Sequence, residues 1–158
     1  MIKKTGTKTQ SSKPKATLHR VYLGLGTNLG NREANILRAI RFISERVGTV
    51  LRQSSLIETE PWGFESKNKF LNAVILCETT KSPREVLQLT QQMERDMGRN
   101  RKTQHSTYTD RPIDIDILLY DDITVDEPGL QIPHPLMYQR DFVMIPLREI
   151  NGNDNEKR

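Results

Sequence analysis

Apolar spacing along the chain switches between a period of two and a period near 3.6, in the order strand, helix, strand, strand, helix, strand. Glycine or proline marks most of the changes of period. A single proline-punctuated stretch is left over after the sixth element. Together these observations predict an α+β fold. It is a ferredoxin-like βαββαβ sandwich, with two helices on one face of a mostly antiparallel sheet and a C-terminal appendage.

The first strand is "RVYLGLG" (Arg20 to Gly26), where Val21, Leu23 and Leu25 share one side. "NREANILRAIRFISERVG" follows as a helix. It carries Ile36, Leu37, Ile40, Ile43 and Val47 at helical spacing, with Asn31 as N-cap and Gly48 as stop. "TVLRQSSLIETEP" reads as one second strand ended by Pro61, and "FLNAVILCETT" as a third. Ser82-Pro83 opens a second helix with Pro83 in its first position. Val86, Leu87, Leu89, Thr90, Met93 and Met97 form its stripe, and Gly98 closes it. After the polar segment "RNRKTQHSTYTDRP" comes the fourth strand, "IDIDILLYDD". Ile113, Ile115 and Ile117 face the core there, and Asp114 and Asp116 share the opposite face. Asp121-Asp122 suits a tight turn into a short strand, "ITVDE".

At 158 residues the chain is the size of one domain. Residues 1–19 are expected to be a disordered basic tail, 20–150 the folded body and 151–158 a polar end. The first twenty residues hold six of the 24 Lys and Arg and no acid, which leaves 18 basic against 20 acidic groups beyond them. The net charge of +4 therefore belongs to the tail, and the body is slightly acidic. That placement points away from a nucleic-acid platform. The apolar runs are too short to cross a bilayer, and no charged-then-apolar leader opens the chain. The lone cysteine, Cys77, sits in an apolar run and reads as a core residue in a reducing compartment. A cytoplasmic monomer, bound neither to membrane nor to nucleic acid, is the expectation.

Four clusters bear on chemistry. "GLGTNLG" follows a strand and opens a helix, but Gly24, Gly26 and Gly30 are spaced G-x-G-x-x-x-G, one residue too long for a dinucleotide fingerprint. These glycines are expected to let the chain turn sharply into the helix. In "GRNRK", Arg99, Arg101 and Lys102 crowd a helix end, with Arg111 further on. Cations there complement the macrodipole, but four of them beside a carboxylate pair also suit a polyphosphate clamp. Asp114 and Asp116, about 7 Å apart on one pleated face, repel each other. They are either the wet side of a strand or an oxygen-rich site for a hard cation such as Mg²⁺, which is held by one or two carboxylates plus nucleotide phosphates. Finally, Trp62, Phe64 and Phe70 lie near Asn72 in a loop-and-strand segment. They plug the core or sandwich a flat heteroaromatic ring whose edge Asn72 reads.

"YLGLGTNLGNR", "ETEPWG" with "FLNAV", "GRNRK", "DRPIDIDIL" and "IPHPLMYQRDFVMIPL" occur in that order between about residues 20 and 150. In this combination the chain resembles the 6-hydroxymethyl-7,8-dihydropterin pyrophosphokinases of folate biosynthesis. The resemblance implies transfer of pyrophosphate from ATP, with two Mg²⁺ ions, to the pterin hydroxymethyl group, releasing AMP. It places Asp114 and Asp116 on the metal and Arg99 and Arg111 in catalysis. Gln91, Glu94, Arg101, Lys102, Ile117, His134 and Arg140 fall at ATP. Thr59, Glu60, Trp62, Phe70, Asn72 and Phe142 fall at the pterin, with the two phenylalanines on either side of the ring. Trp62 stands where an aliphatic residue is commoner in the family, and Pro112 follows Arg111 directly.

Two other readings compete. An RNA-recognition module shares the fold class and would present aromatic side chains on a basic sheet face; here that face carries two aspartates. A Mg²⁺-dependent phosphotransferase with a different acceptor would share the phosphate residues and differ in the pterin loop.

Overall fold

The computed structural model describes residues 16–62, 66–98 and 112–156. Among these, β1 (His19–Thr27), α1 (Arg32–Arg46), β2 (Thr49–Gln53) and β3 (Ile57–Thr59) are followed by β4 (Phe70–Thr79), α2 (Pro83–Asp96) and β5 (Asp114–Tyr120). A hairpin, β6 (Val125–Glu127) with β7 (Leu130–Ile132), then leads through a short 3₁₀ turn (Met137–Gln139) to α3 (Asp141–Glu156). The main sheet runs β2–β4–β1–β5, with β3 also on β4, and every pairing in it is antiparallel. The expected tail lies mostly outside the described residues, and β1 already begins at its last residue, His19.

Local chemistry explains the helix ends. Asn31 accepts a hydrogen bond from the Ala34 N–H at 3.0 Å, as an N-cap should. Ser82 and Glu85 exchange side-chain and backbone bonds in a capping box, with Pro83 in the first turn. Gly98 takes φ +100° after α2, the conformation glycine adopts most cheaply. Gly48 works differently from the expected helix stop. Val47 caps α1, and a Cβ on Gly48 would lie 2.0 Å from the Glu78 carbonyl oxygen. Glycine is needed there because the chain passes against β4.

Alternate residues of the central strands pack under α1 and α2. Leu23, Ile75, Cys77 and Ile113 are buried against Ile36, Ile43, Val86 and Met93. Each such side chain contributes about 1.5–3 kcal/mol. Burial, with Glu78 adding to it, pushes the Cys77 thiol up to about 11.

The second expected strand is two. Ser54 donates its N–H to the Val74 carbonyl and accepts the Val74 N–H on its hydroxyl, both at 2.9 Å. A side chain thus takes a place in the ladder, and the pairing breaks before resuming at Ile57.

The larger correction concerns the C-terminal appendage. It contains a 16-residue helix that packs Val143, Leu147 and Ile150 on the other face of the sheet, against Val74, Leu76 and Leu118. Pro146 lies inside it and hides it from a periodicity reading. An interior proline costs a helix about 3 kcal/mol, which docking on the sheet offsets. Arg52 donates to the Ile150 carbonyl at 2.7 Å, and Glu149 accepts from the Ser55 N–H and hydroxyl. The helix runs through Glu156, so the polar end expected at 151–158 is helical over residues 151–156. No helix among the described residues is long and apolar enough to cross a membrane.

Candidate active site

The site begins with what β1 lacks. Gly24 and Gly26 lie inside the strand, in register with Asp116 and Asp114 on one neighbour and with Val74 and Asn72 on the other. They do not form the turn expected of them; only Gly30 of the three has a positive φ, +68°. Their effect is to leave the sheet face bare between the aspartates and Asn72. A Cβ on Gly26 would meet Asn72 Oδ1 at 3.3 Å and the Phe70 ring at 3.6 Å. The glycines weighed against a dinucleotide fingerprint, Gly24 and Gly26, line a cavity instead.

That first cavity is walled by Thr59, Glu60, Trp62, Phe70, Asn72 and Phe142, and Asp114 and Asp116 lie at its edge. Every residue predicted for the pterin is therefore gathered here. Asn72 is buried, and its amide nitrogen donates to Thr59 Oγ1 at 2.8 Å and to the Ile57 carbonyl at 3.3 Å. Its donors are spent on β3, so its oxygen is the group turned toward the space above Gly26. A heterocycle edge bearing N–H groups matches it.

A second cavity opens on the far side of the same aspartates. Gln91 and Glu94 reach it from α2, Ile117 from β5, and His134 from the segment after β7. The β6–β7 hairpin adds Gly129 and Gln131, which sequence reading missed because β7 was not predicted; the Pro128-Gly129 turn was the available signal. Glu94 accepts the Ile115 N–H at 2.7 Å. That amide lies between the two aspartates on an edge strand, so α2 grips the segment that carries them.

His134 is fixed by its neighbours. Its N–H donates to the Leu118 carbonyl at 3.0 Å, and its Nδ1 accepts from the Leu136 N–H at 3.3 Å. Nε2 is left facing Asp116, 4.0 Å away. Burial first, and the Arg140 charge second, lower the His134 pKa, while Asp114 opposes them. The ring stays neutral near pH 7, with its proton on Nε2.

Arg140, predicted for ATP, lines the first cavity and not the second. Its Nη1 is 3.9 Å from Asp116 Oδ2. Its guanidinium carbon lies 4.5 Å from the Trp62 ring centroid and 5.6 Å from that of Phe142. Arg99, Arg101, Lys102, Arg111 and Phe64 lie outside the described residues.

No group of three or more His, Cys, Asp or Glu side chains able to hold a metal occurs among the described residues. Two neighbouring carboxylates fit a hard cation that takes its remaining oxygens from a ligand and water. They do not fit an all-protein cage.

Comparison with known proteins gives the family. Residues 22–152 match the family model of 7,8-dihydro-6-hydroxymethylpterin-pyrophosphokinase. A 2-amino-4-hydroxy-6-hydroxymethyldihydropteridine pyrophosphokinase from Porphyromonas gingivalis is 48% identical over 131 residues, covering 82% of this chain and 89% of the relative. Its counterpart in Bacillus subtilis is 39% identical over 130 residues, covering 82% and 76%. Among solved structures, wild-type Plasmodium falciparum HPPK-DHPS superposes with a TM-score of 0.68 at 16% identity, covering 87% of this chain. The chain spans 41% of that larger protein's length, and the likeness speaks for the fold alone. On the family model and these identities, the chain belongs to the 7,8-dihydro-6-hydroxymethylpterin-pyrophosphokinase family.

Proposed function

We propose that the chain transfers pyrophosphate from ATP to the hydroxymethyl group of 6-hydroxymethyl-7,8-dihydropterin, releasing AMP, as a step of folate biosynthesis. The observation that carries this reading is the meeting of two differently built cavities at Asp114 and Asp116. One is aromatic and shaped by bare glycines, and suits a flat ring. The other is polar and open, and suits a nucleotide.

Position in the two cavities supports the following roles. Phe70 and Phe142 bracket the pterin, Asn72 accepts from its edge, and Thr59, Glu60 and Trp62 complete the wall. Gln91, Glu94 and Ile117 line the nucleotide side, with His134 and Arg140 directed at phosphate oxygens. Asp114 and Asp116 would hold Mg²⁺ together with the triphosphate; the ion, when bound, neutralises phosphate charge and relieves the repulsion of the pair. The pterin hydroxyl oxygen bonds to the β-phosphorus as the bond from that phosphorus to the α,β-bridging oxygen breaks. AMP leaves and the hydroxyl proton is released. Little covalent work remains for side chains beyond holding the reactants in line and balancing charge. Arg99 and Arg111 are assigned to the transferring group, and Arg101 and Lys102 to ATP, on the family resemblance.

The ferredoxin-like reading of the fold is supported by the strand order, with α1 and α2 on one face. An RNA-recognition module would leave the other face open for bases; part of it lies under α3. The buried Cys77 thiol fits a reducing compartment, the cytoplasm.

Incubation with ATP, Mg²⁺ and 6-hydroxymethyl-7,8-dihydropterin is expected to yield AMP and the pterin diphosphate in equal amounts. Formation of ADP, or of AMP without the pterin, would overturn the reading.

A further inference from the structure

We infer that Arg32, which lines neither of the two cavities at the aspartates, is a positioning residue for the pterin wall: it ties the start of α1 to the strands that carry Thr59, Phe70 and Asn72. The inference rests on the function proposed above and adds to it a residue outside the site.

Arg32 is the first residue of α1. A cation there runs against the helix macrodipole, so helix stability does not account for it. Its guanidinium is spread over two strands instead. Nη2 donates to Glu58 Oε2 at 2.7 Å, in the middle of β3, and Nη1 donates to the Lys69 carbonyl at 2.9 Å, one residue before β4. Asn28, in the turn before α1, donates to the neighbouring Asn68 carbonyl at 3.2 Å. The start of one helix thus grips both partners of the β3–β4 pairing.

What this grip fixes lies on the opposite face. Thr59 pairs with Phe70 and Ile57 with Asn72, and period-two alternation sends the Glu58 side chain away from that of Thr59. The Asn72 amide nitrogen is held by Thr59 Oγ1 and the Ile57 carbonyl. The placing of β3 therefore decides which way the Asn72 oxygen faces. β3 is three residues long and follows the break at Ser54. Arg32, Glu58 and Lys69 line a separate recess with Asn28 and Asn68, so open space lies among the residues that make the grip. The Arg32 and Glu58 side chains are 32% and 48% exposed, and an exposed ion pair contributes little to global stability. Reaching two strands at once, the guanidinium sets where they lie, and a ligand on the far face registers that position.

The test is calorimetric titration of the full chain, first with Mg²⁺ and an ATP analogue whose α,β-bridging oxygen is replaced by methylene. 6-Hydroxymethyl-7,8-dihydropterin is then titrated with the analogue saturating. Arg32→Met keeps a long, helix-compatible side chain and removes both donors. It is expected to bind the pterin about three- to tenfold more weakly than the wild type, and the analogue within about twofold of it. Glu58→Leu breaks the same link from the strand and is expected to weaken pterin binding alone. The double variant is expected to match Arg32→Met within about twofold, because both changes remove one link. Unchanged pterin affinity in either single variant, equal losses for pterin and analogue, or additive losses in the double variant would overturn the role of Arg32. A wild-type protein that bound neither ligand would instead overturn the enzyme reading.

Discussion

The two faces of β1, β4 and β5 are built from alternate residues of the same strands and could hardly differ more. On one side Leu23, Ile75, Ile115 and their neighbours are closed under α1 and α2. On the other, α3 covers Val74, Leu76 and Leu118 at one end and leaves Gly24, Gly26, Asn72, Asp114 and Asp116 around a cavity at the other. Period-two alternation lets a single strand serve both ends: Ile113, Ile115 and Ile117 hold the scaffold while Asp114 and Asp116, between them, line the cavities. The buried isoleucines of the first face fix the strand that carries Asp114 and Asp116 on the second.

That division predicts separable defects. The largest belongs to the carboxylates. Asp114→Ala and Asp116→Ala are each expected to lower turnover by on the order of 10²–10³ or more, with the circular dichroism of the folded chain retained. Near-normal rates would make the pair a solvated strand face. Next is Ile75→Ala on the helix-covered side, expected to cost about 2–5 kcal/mol in denaturant unfolding with KM values near those of the wild type. A loss of activity without loss of stability would break the separation. Smaller is Gly26→Val. It fills the bare floor and is expected to weaken pterin binding by about tenfold, or ~1.4 kcal/mol, while nucleotide affinity measured without pterin stays the same. Unchanged pterin affinity would show that the ring does not use this space. Smallest is the response of Cys77. With its thiol pKa pushed up to about 11, only about one molecule in a thousand carries thiolate at pH 8. Labelling by a thiol reagent should be slow in the native protein and fast in denaturant; rapid native labelling would place Cys77 outside the closed face.

The same contrast explains what the sequence discloses. Elements whose apolar period matches their structure are legible: β1, α1, β4, α2 and β5 fall where the spacing of residues such as Ile36, Val86 and Ile115 puts them. The expected single second strand fails because Ser54, a polar residue with an ordinary appearance, inserts its hydroxyl into the ladder. α3 fails because Pro146 breaks the local rule while packing on the sheet upholds the global one. At the site, side chains with distinctive chemistry are legible as types: paired aspartates, clustered cations, aromatics beside Asn72. Gly24 and Gly26 are misread since an absent side chain says nothing of what stands across from it, and only the register with Asp114, Asp116 and Asn72 gives them meaning. Arg140 is read as a phosphate ligand and is also a stacked cation, a contact between residues 62 and 140 that no local pattern contains.

The central claim is that Asp114 and Asp116 are the point where two substrates are joined through metal. Diffraction at a wavelength where Mn²⁺ scatters anomalously, from crystals grown with the methylene ATP analogue and Mn²⁺ in place of Mg²⁺, tests it most directly. The account predicts anomalous density within coordinating distance of both carboxylates, bridging to phosphate oxygens. Metal and triphosphate bound elsewhere, with the two aspartates facing only solvent, would contradict it.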